Sequence, residues 1–471
     1  MKVERGGAKM KSVRVGAAQG FYGDTFNGAL MNVQYGDIDY LSFDCLAELT
    51  MAILAKDKQK REDTGYTKDI GIAMNMLLPL AKEKGIKILT NAGGINPIGA
   101  QEEVLSIARE LGLNDLKVAV ITGDNILPHI DELIELGMDL EDLETGRPFT
   151  KEVQQKLLFA NAYIGSQPLV EALRQGADVV ISGRSTDTAQ FLAPLIYEFG
   201  WEKDDWNRLA SGIFMGHLLE CSAQSTGGNF SGRWQDIENF ENIGYPIAEM
   251  YENGEFIVTK PKDSGGLVSV DTVKEQMLYE IHDPSAYITP DVVVDITGVT
   301  LEQVGKDEVK VKGVKGKESP KTLKAVMGFE NGYMGQALIG YSWPDAFEKA
   351  KSADRIIRNQ LEQRGLPFDE IRTDFVGYNS LHGPLAKLPQ EDINELYVRI
   401  VVKAQDKRVA DGFRRLIPPL ALNGPPTLSA VGNIPTRQLL GMWSTLIDRE
   451  WVEANISVSI KEVEAYAKSD S

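Results

Sequence analysis

The chain has 471 residues, of which 43% are hydrophobic and 25% are charged. These values are typical of globular proteins, and the length predicts two or three domains that need no disulfide or metal for stability. The 68 acidic residues outnumber the 50 lysines and arginines, giving a net charge of -18. This balance argues against nucleic-acid or anionic-membrane binding, since both require a basic face.

The cysteine count and the first residues predict a cytoplasmic protein. Cys45 and Cys221 are too few for a disulfide framework and too far apart for a Cys-x-x-Cys site, a pattern typical of a reducing compartment. Residues 1–14 are basic and polar, without the apolar stretch of a signal peptide, and are predicted to form a short disordered leader. The apolar stretches are shorter than the roughly 20 residues that span a bilayer.

From residue 13 to about residue 200, short β-branched runs alternate with amphipathic helical segments. Apolar residues recur at helical spacing between Ile70 and Ala81, for example, and Gly85 ends that helix. This rhythm predicts the α/β class, with an open, mainly parallel sheet in the amino-terminal domain. A closed eight-fold barrel is the alternative. The predicted strands are residues 13–18, 38–43, 86–90, 118–122, 159–164 and 177–182.

The rhythm changes after residue 201. A helix over residues 205–219 leads into a polar loop, and residues 309–312 alternate apolar and basic side chains, as in a lysine-protected edge strand. From residue 322, two strand-like runs, a helix and two further strands predict an α+β carboxy-terminal lobe. The predicted domains are 13–235, the parallel α/β domain with the site; 236–320, an irregular β subdomain that completes the core; and 321–460, the α+β lobe.

Small and polar residues follow the predicted strands of the first domain. Because ligands bind beyond the carboxyl ends of strands in open parallel sheets, we expect these loops to meet at one rim and form one pocket. The alternative is that these residues serve only as turns and helix caps. The candidate binding residues in these loops are Gln19, Asp24, Asn91, Gly93, Gly94, Asn96, Asn161, Tyr163, Arg184 and Asp187.

Arg184 is the candidate anion anchor, because a guanidinium at a helix start can bind a carboxylate or phosphate through two hydrogen bonds. Asp187 lies three residues further on, so a structural ion pair with Arg184 stays open as the other interpretation. Glu48 and Asp124 are candidate catalytic carboxylates. Proton transfer by either of them would require burial that raises its pKa toward neutrality.

A second cluster lies at the end of the helix over residues 205–219. His217 and Glu220 are three residues apart, on one helix face, and Cys221 is adjacent. This spacing makes His217 and Glu220 candidate catalytic residues, although a helix end with a satisfied histidine and a buried cysteine is the alternative. The loop that follows contributes the candidate binding residues Thr226, Gly227 and Gly228.

Cofactor motifs are weak in this sequence. The four histidines are dispersed, and no zinc motif is present, so no metal site is predicted. Neither a phosphate-binding P-loop nor a correctly spaced dinucleotide fingerprint occurs. The cofactor is therefore unknown, and none is required.

Several segments resemble the acyclic terpene utilisation family, AtuA. They are residues 39–48, 161–165, 178–201, 216–228 and 273–290. The resemblance runs from about residue 13 to residue 451 and implies a cytoplasmic bacterial protein linked with the catabolism of branched acids as coenzyme A thioesters. Longer members carry a further small carboxy-terminal domain. The resemblance therefore also implies a separate small partner subunit.

These observations predict an enzyme of branched or short-chain carboxylic acid or acyl-CoA catabolism, a hydro-lyase or other lyase that moves a proton next to a carbonyl. Arg184 would hold the anionic group of a small carboxylate or acyl thioester, and loop glycine amides would stabilise developing enolate charge. Glu48, Asp124 or His217 would shuttle the proton. An NAD(P)-dependent oxidoreductase and a non-catalytic scaffolding subunit of a catabolic complex are the alternatives. We expect a homo-oligomer.

Overall fold

The chain folds into two compact units in the computed structural model, which describes residues 10–389 and 391–464. The first unit contains the described residues up to 328 together with those from 442 onward, and the second is Phe329–Gly441. The predicted subdomain 236–320 lies within the first unit. Residues 1–9 of the predicted leader lie outside the described residues, whereas residues 12–14 belong to the first strand.

The first unit alternates strands and helices up to residue 317. Its strands there are β1 (Ser12–Gln19), β2 (Tyr40–Phe43), β3 (Lys87–Thr90), β4 (Lys117–Thr122), β5 (Leu157–Ala162), β6 (Val179–Ile181), β7 (Ile247–Tyr251), β8 (Phe256–Thr259), β9 (Tyr287–Ile288), β10 (Val293–Asp295), β11 (Thr300–Gly305), β12 (Glu308–Lys312) and β13 (Lys315–Lys317). Its helices are α1 (Asn27–Tyr35), α2 (Glu48–Lys60), α3 (Ile70–Lys84), α4 (Pro97–Glu110), α5 (Ile130–Glu135), α6 (Lys151–Gln155), α7 (Gln167–Arg174), α8 (Ala189–Phe199), α9 (Trp206–Leu219) and α10 (Val270–Leu278).

Two long strands cross the limits of the second unit. They are β14 (Thr322–Ser342) and β17 (Leu428–Asp448). Between them lie α11 (Ala346–Arg364), β15 (Glu370–Val376), β16 (Glu395–Ala404), α12 (Lys407–Phe413) and α13 (Leu420–Asn423). The first unit ends with α14 (Arg449–Asn455) and β18 (Ser457–Glu462).

A ten-stranded mixed sheet organises the first unit, in the order β11-β12-β8-β7-β1-β2-β3-β6-β4-β18. The five strands from β1 to β4 in this order are parallel, and the neighbours on both sides are antiparallel. The α/β class is therefore confirmed, but the sheet is mixed because strands from later in the chain extend a parallel centre. Within the described residues the sheet stays open, so the barrel alternative is wrong.

Helix α3 shows how the sequence pattern produces this layer. Its apolar residues at three- and four-residue spacing are buried, including Met74, Leu77 and Leu78. Burying one such side chain contributes roughly 1.5–3 kcal/mol, so this stripe fixes the face that the helix presents to the core. Gly85 ends the helix at φ 71°, a left-handed conformation that glycine adopts without a steric penalty. The predicted helix is confirmed.

Three strand predictions need correction. The predicted strand 159–164 is β5, which pairs with β14 rather than joining the parallel sheet. The predicted edge strand 309–312 is β12, which β8 and β11 flank on both sides. Its lysines are bound by carboxylates: Lys310 Nζ lies 2.7 Å from Glu255, so the alternation reflects ion pairing across strands. The two runs after residue 322 form one continuous strand, β14.

The second unit contains an antiparallel sheet and helices that share one core. β15 pairs with β16, and β16 pairs with β14. Alternate residues of β16 are buried, among them Val398, Ile400 and Val402, and they pack with Ala350 and Ile357 of α11. The buried face of β16 repeats every two residues, and the buried face of α11 repeats at helical spacing. The two faces pack together in one apolar layer.

Across both units, no helix of the described residues has the length and apolar character needed to cross a membrane.

Candidate functional site

A cleft of about 980 Å³ lies beyond the carboxyl ends of β1, β2 and β6 in the first unit. The loops after these three strands line it together with the end of α9 and residues 279–290 and 320–324. Helix starts and loop ends converge at this edge of a parallel sheet, which is why the pocket forms there. The predicted residues that line the cleft are Asp24, Glu48, Tyr163, Arg184, Asp187, His217, Glu220 and Gly228.

Hydrogen bonds join the strand ends beneath the cleft. The Cys45 thiol donates to Gln19 Oε1 at 3.2 Å, and the Cys45 backbone N–H donates to Asn91 Oδ1 at 2.7 Å. After β4 and β6, Asp124 Oδ2 accepts from the backbone N–H of Arg184 at 2.7 Å. The loops after β1, β2, β3, β4 and β6 are therefore held at one edge of the sheet. The residues directly after β3 and β4 do not line the cleft, so the expected single pocket from all the strand ends is not formed.

Arg184 lines the cleft and is almost fully buried. Its Nη1 donates to the carbonyl oxygens of Leu46 and Ser185, each at 3.0 Å, and to Asp187 Oδ1 at 2.8 Å. The guanidinium carbon lies 3.9 Å from the centre of the Tyr163 ring, a cation–π contact. Nε has no hydrogen-bond partner within the described residues. Arg184 thus forms the structural pair with Asp187, and its unpartnered Nε is itself buried.

Glu48 is bound by two donors at the mouth of the cleft. Its Oε1 accepts from the Tyr163 hydroxyl at 2.8 Å and from Lys324 Nζ at 3.0 Å. Partial burial opposes the negative charge, but the Lys324 ammonium and the two hydrogen bonds outweigh it and lower the pKa of Glu48 to about 2. A carboxylate this weakly basic is a poor proton acceptor near neutral pH.

Asp24 is held by donors from both sides of the cleft. Its Oδ2 accepts from the backbone N–H of Gly20 at 3.1 Å and from the Ser222 hydroxyl. Its Oδ1 accepts from the Tyr245 hydroxyl at 2.9 Å and from the N–H of Thr25 at 2.7 Å. These bonds connect the loop after β1 to the segment after α9, so Asp24 fixes the shape of the wall.

His217 and Glu220 form a buried pair on the last turn of α9, and both are at most 5% exposed. Glu220 Oε1 lies 3.1 Å from His217 Nδ1, and His217 Nε2 lies 2.9 Å from the carbonyl oxygen of Gln276. Burial lowers the pKa of His217 to about 4. Burial, with the nearby Asp187 and Glu280, raises the pKa of Glu220 well above its usual range. The pair is therefore neutral overall, without a separated charge.

Asp44 also lines the cleft, and the sequence reasoning did not single it out as a candidate. It is buried, and its Oδ1 accepts from Asn91 Nδ2 at 2.6 Å. Burial raises its pKa well above the usual range, as do the charges of Asp187 and Glu220, whereas Arg184 and the Asn91 hydrogen bond act in the opposite direction. Its position directly after β2 is a signal that the strand-end rule could have used.

Cys221 lines the cleft as a thiol. Burial and the neighbouring Glu220 raise its pKa well above the ordinary value for cysteine, so the nucleophilic thiolate is disfavoured. Within the part of the chain that the structure describes, no three His, Cys, Asp or Glu side chains are grouped so that they could hold a metal ion.

Several predicted site residues lie outside the cleft lining and stabilise the loops. Asn161 Nδ2 donates to Asp124 Oδ2 at 2.8 Å, and both side chains are buried beneath the site. Asn96 caps α4 by accepting from the N–H of Gly99. The Thr226 hydroxyl donates to the carbonyl of Gly244 at 2.6 Å. The remaining predicted residues outside the lining are Gln19, Asn91, Gly93, Gly94 and Gly227.

The glycine amides considered for enolate binding are occupied. The N–H of Gly93 donates to the carbonyl of Ser182, and that of Gly94 to the carbonyl of Asn91. The N–H groups of Gly227 and Gly228 likewise donate to backbone carbonyls, those of Gln224 and Ala223. In this arrangement the amides are not free to bind a developing negative charge.

Other lining residues come from distant parts of the chain that strand-end reasoning does not reach. Ser222 and Tyr245 hold Asp24, Lys324 on β14 holds Glu48, and Tyr287 lies with its ring centre 5.6 Å from that of His217. Their roles depend on chain segments that the tertiary structure brings over the sheet edge. No local sequence pattern marks them.

Fold and cleft together define an α/β protein with a strand-end pocket lined by buried, titratable groups. The chain belongs to the acyclic terpene utilisation family AtuA, whose family model matches residues 13–458. This match confirms the resemblance that the sequence segments carry, and the family's name associates it with acyclic terpene utilisation. No curated protein and no solved structure matches the chain.

Proposed function

We propose that this protein is an enzyme of branched or short-chain acyl catabolism, a hydro-lyase that removes water by moving a proton next to a carbonyl. The observation that carries the proposal is the buried carboxyl group of Glu220, hydrogen-bonded to His217 and lining the same cleft as Arg184. A buried carboxylic acid that keeps its proton near neutral pH can protonate a leaving hydroxyl group.

The charged groups of the cleft support an acyl substrate. Arg184 lines the cleft as a buried cation, and its positive charge can stabilise the oxygen of an acyl carbonyl or carboxylate bound there. Negative charge develops on that oxygen when the neighbouring C–H bond breaks. A buried guanidinium stabilises such charge more strongly than a solvated one, because the local dielectric is low.

The apolar part of the lining supports a hydrocarbon chain on that substrate. Ile243, Ile281, Ile288, Leu323 and Leu446 line the cleft together with the polar groups. Burial of a branched chain against them contributes roughly 25 cal/mol for each Å² of apolar surface removed from water. This combination of an apolar wall and a few polar groups is typical of small-molecule sites.

The perturbed carboxyl groups favour catalysis over the scaffolding alternative. A scaffold has no need for buried acids in an open cleft, whereas acid–base catalysis requires pKa values shifted toward the working pH. Asp44 and Glu220 both have raised pKa values in this cleft. The proposal therefore assigns the site to proton transfer.

The test is turnover of 3-hydroxyacyl coenzyme A thioesters with short straight and branched chains, followed by release of the unsaturated product. We expect Glu220→Gln to lower kcat by about 100-fold or more, the usual contribution of a general acid, with a smaller change in KM. Glu135→Gln, on the exposed face of α5, is the matched control and should retain activity.

Two outcomes would contradict the proposal. One is the absence of dehydration and of the reverse hydration across the substrate panel, for wild-type protein whose cleft binds the thioesters in a thermal-shift assay. The other is undiminished turnover in Glu220→Gln. A thermal shift with NADH or NADPH but with no thioester would favour the oxidoreductase alternative instead.

A further inference from the structure

Two buried carboxyl groups, Asp44 and Glu220, line the same cleft and influence each other's ionisation. When two carboxyl groups interact, one keeps its proton more strongly than the other, and the local hydrogen-bond donors decide which. The donors around the two groups differ clearly. Their positions therefore assign different roles to the two residues.

The surroundings of Asp44 favour the carboxylate. Asn91 Nδ2, which can only donate, lies 2.6 Å from Asp44 Oδ1. The positive charge of Arg184 also lowers the pKa of Asp44, although burial and the charges of Asp187 and Glu220 raise it. Arg184 acts on Glu220 in the same direction, so the Asn91 donor is what distinguishes the two groups. It stabilises the charged form of Asp44, which is therefore the first of the two to lose its proton.

The surroundings of Glu220 favour the protonated acid, because His217 is held in one tautomer. His217 Nε2 lies 2.9 Å from the carbonyl oxygen of Gln276, which can only accept, so Nε2 carries the hydrogen. In a neutral ring Nδ1 is then a lone-pair acceptor. Because burial favours the neutral ring of His217, the 3.1 Å hydrogen bond between Nδ1 and Glu220 Oε1 places its proton on the glutamate.

The surroundings of the other Glu220 oxygen, Oε2, also favour the protonated acid. Oε2 is buried and accepts no hydrogen bond from any described residue. Three carboxyl groups oppose ionisation of Glu220 and Arg184 favours it, and its other titratable neighbours are His217, Cys221 and Tyr287; the carboxyl groups are Asp44, Asp187 and Glu280. A carboxylate here would lack donors and face like charges, so ionisation is costly until a substrate accepts the proton.

We infer that Glu220 is the proton donor of the cleft and Asp44 is the base, with His217 as a positioning residue that holds Glu220 in its protonated form. The inference rests on the proposed function for its substrate. It adds Asp44 to the catalytic groups and removes His217 from the proton shuttle, because both ring nitrogens are already hydrogen-bonded.

The proposed step is balanced without a further reactant. The Asp44 carboxylate takes the proton from the carbon next to the acyl carbonyl, and the electron pair of that C–H bond forms an enolate with its negative charge on the carbonyl oxygen. The enolate electron pair then forms the new C=C bond. The C–O bond at the neighbouring carbon breaks, and its oxygen leaves as water with the proton of Glu220, which exchanges its hydrogen bond to His217 Nδ1 for one to the leaving oxygen. Return of the proton from Asp44 to Glu220 restores the starting state.

The first experiment measures protonation directly and needs no substrate. Infrared difference spectra near neutral pH compare wild type with Glu220→Gln, Asp44→Asn and Glu48→Gln. We expect the carbonyl stretch of a protonated carboxylic acid to be lost in Glu220→Gln and retained in Glu48→Gln, because Glu48 has a pKa of about 2. Loss of the band in Asp44→Asn with retention in Glu220→Gln would reverse the assignment.

A measurement on the wild-type protein covers the case in which a variant fails to fold. The ¹⁵N spectrum of His217 should show a protonated Nε2 and an unprotonated Nδ1 near neutral pH. A doubly protonated ring would mean that Glu220 has given up its proton, which would overturn the inference. Failure of the thioester assay alone would count against the proposed function and leave these two spectroscopic results unchanged.

A kinetic experiment separates the two catalytic roles. In D₂O, Asp44→Asn should lose both deuterium exchange next to the carbonyl of a bound acyl thioester and water elimination. Glu220→Gln should lose elimination and keep the exchange, because the base is intact. Exchange that persists in Asp44→Asn would exclude Asp44 as the base.

Discussion

At the scale of single residues, the environment rather than the residue type decides what each carboxyl group does. Glu48 and Glu220 are both glutamates of one cleft. Burial opposes ionisation of Glu48, but Lys324 and the Tyr163 hydroxyl outweigh it and lower its pKa to about 2. Burial raises the pKa of Glu220, which faces further carboxylates instead of donors. Two identical side chains therefore differ in their ability to donate a proton.

The raised pKa of Asp124 predicts that the free energy of unfolding depends on pH. Burial raises its pKa to about 6, above the value of about 4 for an unfolded aspartate. The folded state then binds the proton more tightly, so the stability contribution of Asp124 falls as the pH rises from about 4 to about 6. Asn at this position can still accept the bonds from Arg184 and Asn161 without titrating.

Chemical denaturation of wild type and Asp124→Asn across this pH range measures the effect. The wild-type free energy of unfolding should fall relative to that of the variant by on the order of 2 to 3 kcal/mol. Asp139→Asn, at an exposed position, is the control and should leave the curve parallel to wild type. A constant difference between wild type and Asp124→Asn would show that Asp124 does not titrate in this range.

At the scale of elements, the end of β4 is shaped by a close approach of the chain from α14. Gly123 follows β4 with φ 107°, and a Cβ there would collide with the carbonyl oxygen of Asn455 at the end of α14. Only glycine meets both demands, the left-handed backbone and the close approach. This contact positions the loop that carries Asp124 beneath the cleft.

Alanine substitutions at Gly123 and Gly137 separate the effect of the left-handed backbone from that of the close approach. Gly123→Ala should be clearly more destabilising than Gly137→Ala, and the second should cost about 1–2 kcal/mol. Gly137 also has a positive φ, 85°, but a Cβ there meets none of the described atoms within 4 Å. Thermal unfolding measures both changes. Equal losses of stability would mean that the approach of Asn455 imposes no constraint.

At the scale of the whole molecule, the excess of acidic residues gives a net charge of -18. Like charges repel in the compact state, and this repulsion acts on the entire chain rather than at one contact. Lys324 and Arg184 illustrate the local response, since each basic group of the cleft is paired with a carboxylate. The surplus carboxylates remain without that compensation.

This charge predicts that salt stabilises the protein. Raising the ionic strength from about 0.01 M to 0.15 M shortens the screening length from about 30 Å to about 8 Å, which weakens the repulsion. The Tm should rise over this range, and NaCl and KCl should give the same increase because the effect is not specific to one ion. A Tm that falls with salt would mean that attractive ion pairs dominate instead.

Sequence patterns alone were enough to predict the α/β class, the parallel centre of the sheet and part of the cleft lining, because hydrophobic period and turn residues act locally. It did not place β5 beside β14, enclose β12 between two strands or select Asp44, since these depend on segments distant in the chain. The tautomer of His217 was likewise decided only by the tertiary structure, through the carbonyl of Gln276 on α10. Helices, strands and turns depend on residues that are close together in the sequence, whereas the protonation of a buried group depends on which atoms folding brings around it.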